Sequence, residues 1–162
     1  PSRRCSAKRS SASPTNRAFP HFSTNPGVVR SFIQVTPFFG VAAMEVALAF
    51  YRNILGFTVH VDEGGYAYVE RDRIAFRLLA LEAASYNPPG SGHAYVDVGD
   101  VDALFTEMEP ALKTLPADRW GSPKDQPYGQ REFWVRDPDG NLVNFGKGIG
   151  ANAHQWDYRY QP

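Results

Sequence analysis

Gln130-Arg131-Glu132-Phe133-Trp134-Val135-Arg136-Asp137-Pro138-Asp139-Gly140-Asn141-Leu142-Val143-Asn144-Phe145-Gly146-Lys147 is the stretch whose reading decides the fold. Two runs of strand-forming residues, 132–136 and 141–145, flank Asp137-Pro138-Asp139-Gly140, where proline presets φ for a turn and glycine accepts positive φ. The stretch therefore reads as a β-hairpin. Asp137 and Asp139 are expected to serve its turn through side-chain bonds to backbone N–H groups. Arg131, Glu132 and Arg136 are expected to form cross-strand charge pairs. No Ser-His-Asp arrangement or phosphate-cradling glycine loop accompanies them.

Before the hairpin the chain shows the same order of elements twice. Phe32 to Val41 is β-branched and aromatic and reads as a strand. Met44, Leu48, Tyr51 and Leu55 recur at helical spacing, and Gly56 stands where a helix would end in a left-handed residue. Residues 57–62, 66–70 and 73–81 then read as three strands. Asn87-Pro88-Pro89-Gly90-Ser91-Gly92 makes a linker. His93 to Val98 is the next strand, and Asp100 caps a helix striped by Val101, Leu104, Phe105 and Met108 that Pro110 helps to limit. Residues 115–121 form a weak strand and 122–129 a loop, and the hairpin closes the second unit. Two βαβββ modules imply an α+β fold whose curled mixed sheets surround a shared cleft.

With 162 residues, 43% of them hydrophobic, the chain suits one core and one domain, expected at residues 32–147. Residues 1–31 are rich in Ser, Arg and Pro and are expected to be a disordered basic extension, fitting either a transit peptide or an upstream addition. Residues 148–162 read as a tail. The formal net charge of zero hides a division, because six basic residues and no acid fall in the first 30, leaving eleven basic groups against seventeen acidic ones. An acidic fold argues against nucleic acid and for cationic partners. Cys5 is the lone cysteine, which leaves no thiolate cluster and agrees with the cytoplasm. No run approaches the ~20 apolar residues of a membrane span.

Three stretches carry a family resemblance: Thr36-Pro37 with Ala49-Phe50-Tyr51-Arg52-Asn53-Ile54-Leu55-Gly56-Phe57; His93-Ala94-Tyr95-Val96-Asp97-Val98; and Gln126-Pro127-Tyr128-Gly129-Gln130-Arg131-Glu132-Phe133 through Asp137-Pro138-Asp139-Gly140-Asn141. Together they resemble the bleomycin-resistance branch of the glyoxalase/bleomycin resistance/dioxygenase (vicinal oxygen chelate) superfamily. The resemblance implies a homodimer that shares its clefts, often exchanging the N-terminal strand, with Pro37 where that branch places a proline important to the exchange. In metal-dependent members the ligands come from the first and last strands of each module. Mapped here, those places are Thr36, Phe76 or Arg77, His93, and Asn144 where the enzymes carry Glu. Only His93 is a good ligand, so no metal and no other cofactor is expected.

The ligand-binding candidates are aromatic and polar. Tyr66, Tyr68, Tyr95, Tyr128 and Trp134 lie on or beside strands bordering the expected cleft, with Phe57 at its mouth; flat rings stack on planar ligands and attract cations. Phe50, Phe105 and Phe145 read as core. His93, Tyr95 and Asp97 share one face by the period of two, which offers Asp97 to a basic ligand. His93 and Asn144 join as polar wall residues. The function implied is non-catalytic binding and sequestration of a bleomycin-type cationic antibiotic. The alternatives are a metal-dependent glyoxalase or dioxygenase, and a structural or regulatory module without a ligand.

Overall fold

Each strand and helix predicted from the sequence has one apolar face to bury, and the chain meets that demand twice over. In the computed structural model, which describes residues 33–80 and 87–153, the first module comprises β1 (Phe38–Val41), α1 (Met44–Asn53), β2 (Thr58–Asp62), β3 (Tyr66–Arg71) and β4 (Ile74–Ala80). The second comprises β5 (His93–Asp97), α2 (Val101–Leu112), β6 (Trp120–Asp125), β7 (Gln130–Arg136) and β8 (Leu142–Gly148). The basic extension at 1–31 and the tail beyond residue 153 lie outside the described residues.

The α+β fold of paired βαβββ modules is as the sequence implied. Each module is a four-stranded mixed sheet, ordered β1-β4-β3-β2 and β5-β8-β7-β6. In each, the first strand runs parallel to the last and the other neighbours are antiparallel. Helix α1 ends at Asn53, and the turn that follows it closes at Gly56, which takes φ 72° and lets Phe57 N–H reach back to Tyr51 O at 2.9 Å. That bond satisfies a last-turn carbonyl across the left-handed glycine.

Three local readings need correction. The strand expected at 115–121 is β6 at Trp120–Asp125, preceded by a 3-10 turn at Ala117–Arg119, so the first half of the supposed 122–129 loop is strand. Pro123 hid it. A proline cannot donate to a ladder, and here it lies on an edge strand where the register shifts between Gly121 and Lys124. Pro110 lies inside α2 rather than beyond it, in the last turn. The first strand is shorter than expected, with residues 33–37 left without a regular element.

One hydrophobic core joins the two modules. Phe39, Val41, Phe76 and Leu78 of the first sheet belong to the same cluster as Val96, Phe133, Val135, Val143 and Phe145 of the second, with Tyr51 and Leu55 from the first helical segment and Met108 and Leu112 from α2. Apolar rings dominate it: Phe39 stacks on Phe76 at 4.9 Å and Phe133 on Phe145 at 4.9 Å. The strand period of two then sends the alternate residues of each sheet to the face turned away from the shared core. Among the described residues no helix is long and apolar enough to cross a membrane.

The hairpin turn also locks the modules together. Asp137, fully buried, accepts from the N–H groups of Asp139, Gly140 and Asn141 at 2.8–3.0 Å, from Asn141 Nδ2 at 2.7 Å and from Tyr51 Oη at 3.2 Å. Asn141, equally buried, donates from Nδ2 to Gly40 O at 2.9 Å and accepts from Gly92 N at 2.8 Å. Burial raises the Asp137 pKa while the donors from Asn141 and Gly140 pull it back. Tyr51 and Gly40 belong to the first module, so the turn acts as a tie across the fold.

Candidate functional site

The expected site residues divide between two outward faces rather than meeting on one. On the first sheet, Tyr66 and Tyr68 of β3 stand beside Arg77 of β4 and Phe38 of β1, with Phe38, Arg77 and Tyr68 in one cross-strand row. The Arg77 guanidinium donates to Tyr66 Oη at 2.6 Å and lies 5.5–5.9 Å from the ring centroids of Phe38, Tyr66 and Tyr68. Cation and rings hold each other. Phe38 is 44% exposed, which leaves this cage open to a partner or ligand.

Phe57 belongs to neither face. It is only 3% exposed and packs in the core, stacked on Phe76 at 5.3 Å and edge-on to Tyr51 at 6.0 Å. A ring following the left-handed glycine is drawn inward by its backbone bond to Tyr51, which the sequence alone did not reveal. Phe57 does floor a groove of about 530 Å³ between the modules, lined also by Ile74, Val96, Asp97, Leu104 and Phe145. The groove meets the second face only at Asp97, so this groove and the main cluster of polar and aromatic groups are different places.

The second sheet carries that cluster. One row across β5, β8 and β7 is Tyr95, Asn144 and Trp134, and the next is Asp97, Gly146 and Glu132. His93 precedes Tyr95 on the same face, and Tyr128 reaches in from the turn before β7. Gly146 is needed by this packing, because a Cβ there would collide with the Tyr95 hydroxyl. Tyr95 Oη is 3.4 Å from Gln130 Oε1, and Tyr128 Oη donates to Glu132 Oε1 at 2.5 Å. Trp134 faces Arg136, whose guanidinium lies 5.7 Å from the ring centroid.

The electrostatics of the face centre on Glu132. It is 7% exposed and no ion pair among the described residues involves it. Burial of the hydroxyl end of Tyr95, and then the nearby Glu132 carboxylate, push the Tyr95 pKa well up, although 42% of that side chain is exposed. The hydrogen bond to Glu132 likewise raises Tyr128, which is 60% exposed. Partial burial raises the Asp97 pKa, although water still reaches its carboxyl.

Of the cross-strand charge pairs expected of Arg131, Glu132 and Arg136, that of Arg131 forms, with Asp125, its register partner on β6, and among the described residues Glu132 and Arg136 make none. Arg131 points to the opposite face, binding Asp102 and Asp125 at 2.7 Å each, while Arg136 donates to Gly140 O at 3.1 Å. Glu132 is therefore the site residue that sequence reasoning missed. The signal was present: Glu132 is two residues from Trp134, and the period of two that placed Trp134 on the face places Glu132 there too.

The four family ligand places do not suit a divalent cation. Phe76 points into the core, so the place on β4 falls to Arg77, a positive charge already bound to Tyr66. Thr36 and Asn144 bring no charge, and among the described residues no group of three or more His, Cys, Asp or Glu could hold a metal.

Two βαβββ modules on one core, each with a ring-bearing outward face, define a known class. The chain belongs to the glyoxalase/bleomycin resistance protein/dioxygenase superfamily, whose family model matches residues 33–145. Over 128 residues it is 27% identical to the bleomycin resistance protein of Geobacillus stearothermophilus, covering 70% of this chain and 95% of the relative; the Staphylococcus aureus protein of that name is equally similar. Among solved structures, the bleomycin-binding protein from bleomycin-producing Streptomyces verticillus, complexed with copper(II)-bleomycin, superposes with a TM-score of 0.61 at 26% identity, covering 75% of this chain and 99% of that one. A lactoylglutathione lyase from Agrobacterium tumefaciens shares the fold alone, with a TM-score of 0.60 at 20% identity and coverage of 80% and 100%.

Proposed function

We propose that this protein binds a cationic, planar-ringed antibiotic of the bleomycin type and sequesters it unchanged in the cytoplasm, working as a homodimer. The observation that carries the reading is the second outward face, where the exposed ring of Tyr95 and the half-buried Trp134 stand beside the carboxylates of Asp97 and Glu132. Rings stack on planar heterocycles and carboxylates attract cations. Sequestration needs affinity and no transition-state machinery, which fits a face without a nucleophile–base pair or a metal set. The relatives and the copper(II)-bleomycin complex of the Streptomyces verticillus protein support the ligand class.

A single subunit exposes two ring-bearing faces that turn away from its own core. Pairing the Arg77 face of one subunit with the Glu132 face of its partner would make two closed clefts with complementary charge at the walls. This supports the dimeric form of the reading. Isothermal calorimetry with bleomycin, phleomycin and unrelated fluorophores tests it, with one drug expected per subunit. Dissociation constants above about 100 μM for every drug, which is weaker than about −5.5 kcal/mol, would remove the sequestration reading.

A further inference from the structure

Two hydrogen-bond acceptors on the second outward face are buried without a well-formed hydrogen bond, although the Tyr95 hydroxyl lies close to one of them, the Glu132 carboxylate. Glu132 Oε2 and Asn144 Oδ1 are both buried without a hydrogen-bond partner, although Glu132 Oε1 is satisfied by Tyr128. Buried polar atoms in native folds are almost always paired, and one left unpaired is costly, most of all on a carboxylate. A nine-tenths buried carboxylate with one oxygen still lacking a well-formed bond can take a further donor.

The two acceptors are neighbours. Trp134 is opposite Asn144 and Glu132 is opposite Gly146, so Glu132 and Asn144 are diagonal on adjacent strands, about 7–8 Å apart at the backbone. Asn144 stands between Tyr95 on β5 and Trp134 on β7 in the register, with the Tyr95 ring leaning over Gly146 and the Trp134 indole over Gly121. Beside Glu132 the Gly146 position carries no side chain and is covered by the Tyr95 hydroxyl, and Asp97 completes that row with a second carboxylate. Lys124, opposite Glu132 on β6, makes no ion pair with it, and Arg136 is engaged by Gly140 and the Trp134 ring. The set combines two unmet acceptors, a buried negative charge and an aromatic ring.

We propose that Glu132 and Asn144 form an acceptor pair for a planar, multi-donor cation, an amidinium or guanidinium group, beside the ring of Tyr95. Such a group carries several N–H donors in one plane, so it can meet both acceptors while its face lies against a ring. An ammonium group has the charge without the flat face, and a neutral amide has the shape without the charge. The proposal rests on the binding reading of the same face and narrows it from cations in general to this chemistry.

The test uses benzamidine and its neutral isostere benzamide as probes, each titrated into the full-length protein and followed by backbone amide NMR. Benzamidine is expected to shift residues 132–134 and 144–146 saturably, whereas benzamide leaves them in place. In Glu132→Gln the benzamidine affinity should fall at least about tenfold, since a charge-assisted bond is lost. Equal responses to the two probes, or a shift map away from β7 and β8, overturn the acceptor pair even if the variant does not fold. Bleomycin is titrated separately. If folded Glu132→Gln binds bleomycin as tightly as the unaltered protein does, the sequestration reading stands and the acceptor pair is wrong. If benzamidine binds as described and bleomycin does not, the acceptor pair stands and the antibiotic assignment fails.

Discussion

Asn141→Ala tests whether the hairpin turn holds the two modules together. The amide is fully buried and serves three groups: it donates to Gly40 O and to Asp137 Oδ2, and it accepts from Gly92 N. Truncation leaves two backbone groups unmet, each at a cost of about 1–3 kcal/mol, and removes a donor from the buried Asp137 carboxylate. Asp137 keeps Tyr51 and three backbone donors, so its loss is partial. The sum is roughly 3–6 kcal/mol, a large share of the 5–15 kcal/mol typical of a whole domain. Urea unfolding followed by circular dichroism should show the midpoint falling by about 1–3 M at an unchanged slope. Asp139→Ala is the control, since that side chain accepts only Asp137-independent Ala42 N at an exposed site, at 3.1 Å; it should cost about 1 kcal/mol or less. A loss below about 1 kcal/mol in Asn141→Ala would refute the view that the turn is a tie between modules.

Gly146→Ala should displace Tyr95 by steric collision and weaken bleomycin binding about tenfold or more while the melting temperature changes little, checked by calorimetry beside thermal unfolding. Tyr51 is fully buried and its pKa is raised, by burial first and the Asp137 carboxylate second. A raised folded-state value means the stability it contributes is whole below pH ~10 and is lost as pH rises further, at up to about 1.4 kcal/mol per pH unit, because the unfolded tyrosine ionises first. Urea midpoints at pH 9, 10 and 11 should fall accordingly, and Tyr51→Phe should flatten the decline. Light scattering at micromolar concentration should give the mass of a dimer, and a clean monomer would remove the shared-cleft form of the proposed site.

Much of this protein is legible in its sequence because much of it is governed by local physics. The left-handed Gly56 after the first helix, the Asp-Pro-Asp-Gly turn and the repeated βαβββ order follow from φ preferences and periodicity. So does the shared face of His93, Tyr95 and Asp97. What the period of two leaves open is which face is buried and what stands on the neighbouring strand. That depends on pairings between residues far apart in the chain, such as the parallel joining of β5 to β8, which sets Tyr95 beside Asn144. For this reason Phe57 looked like a cleft ring and proved to be core, and Glu132 looked like half of a surface ion pair and proved to be a buried carboxylate under Tyr128. Only the tertiary structure could divide the candidate rings between two outward faces, because that division comes from the single core the two sheets share.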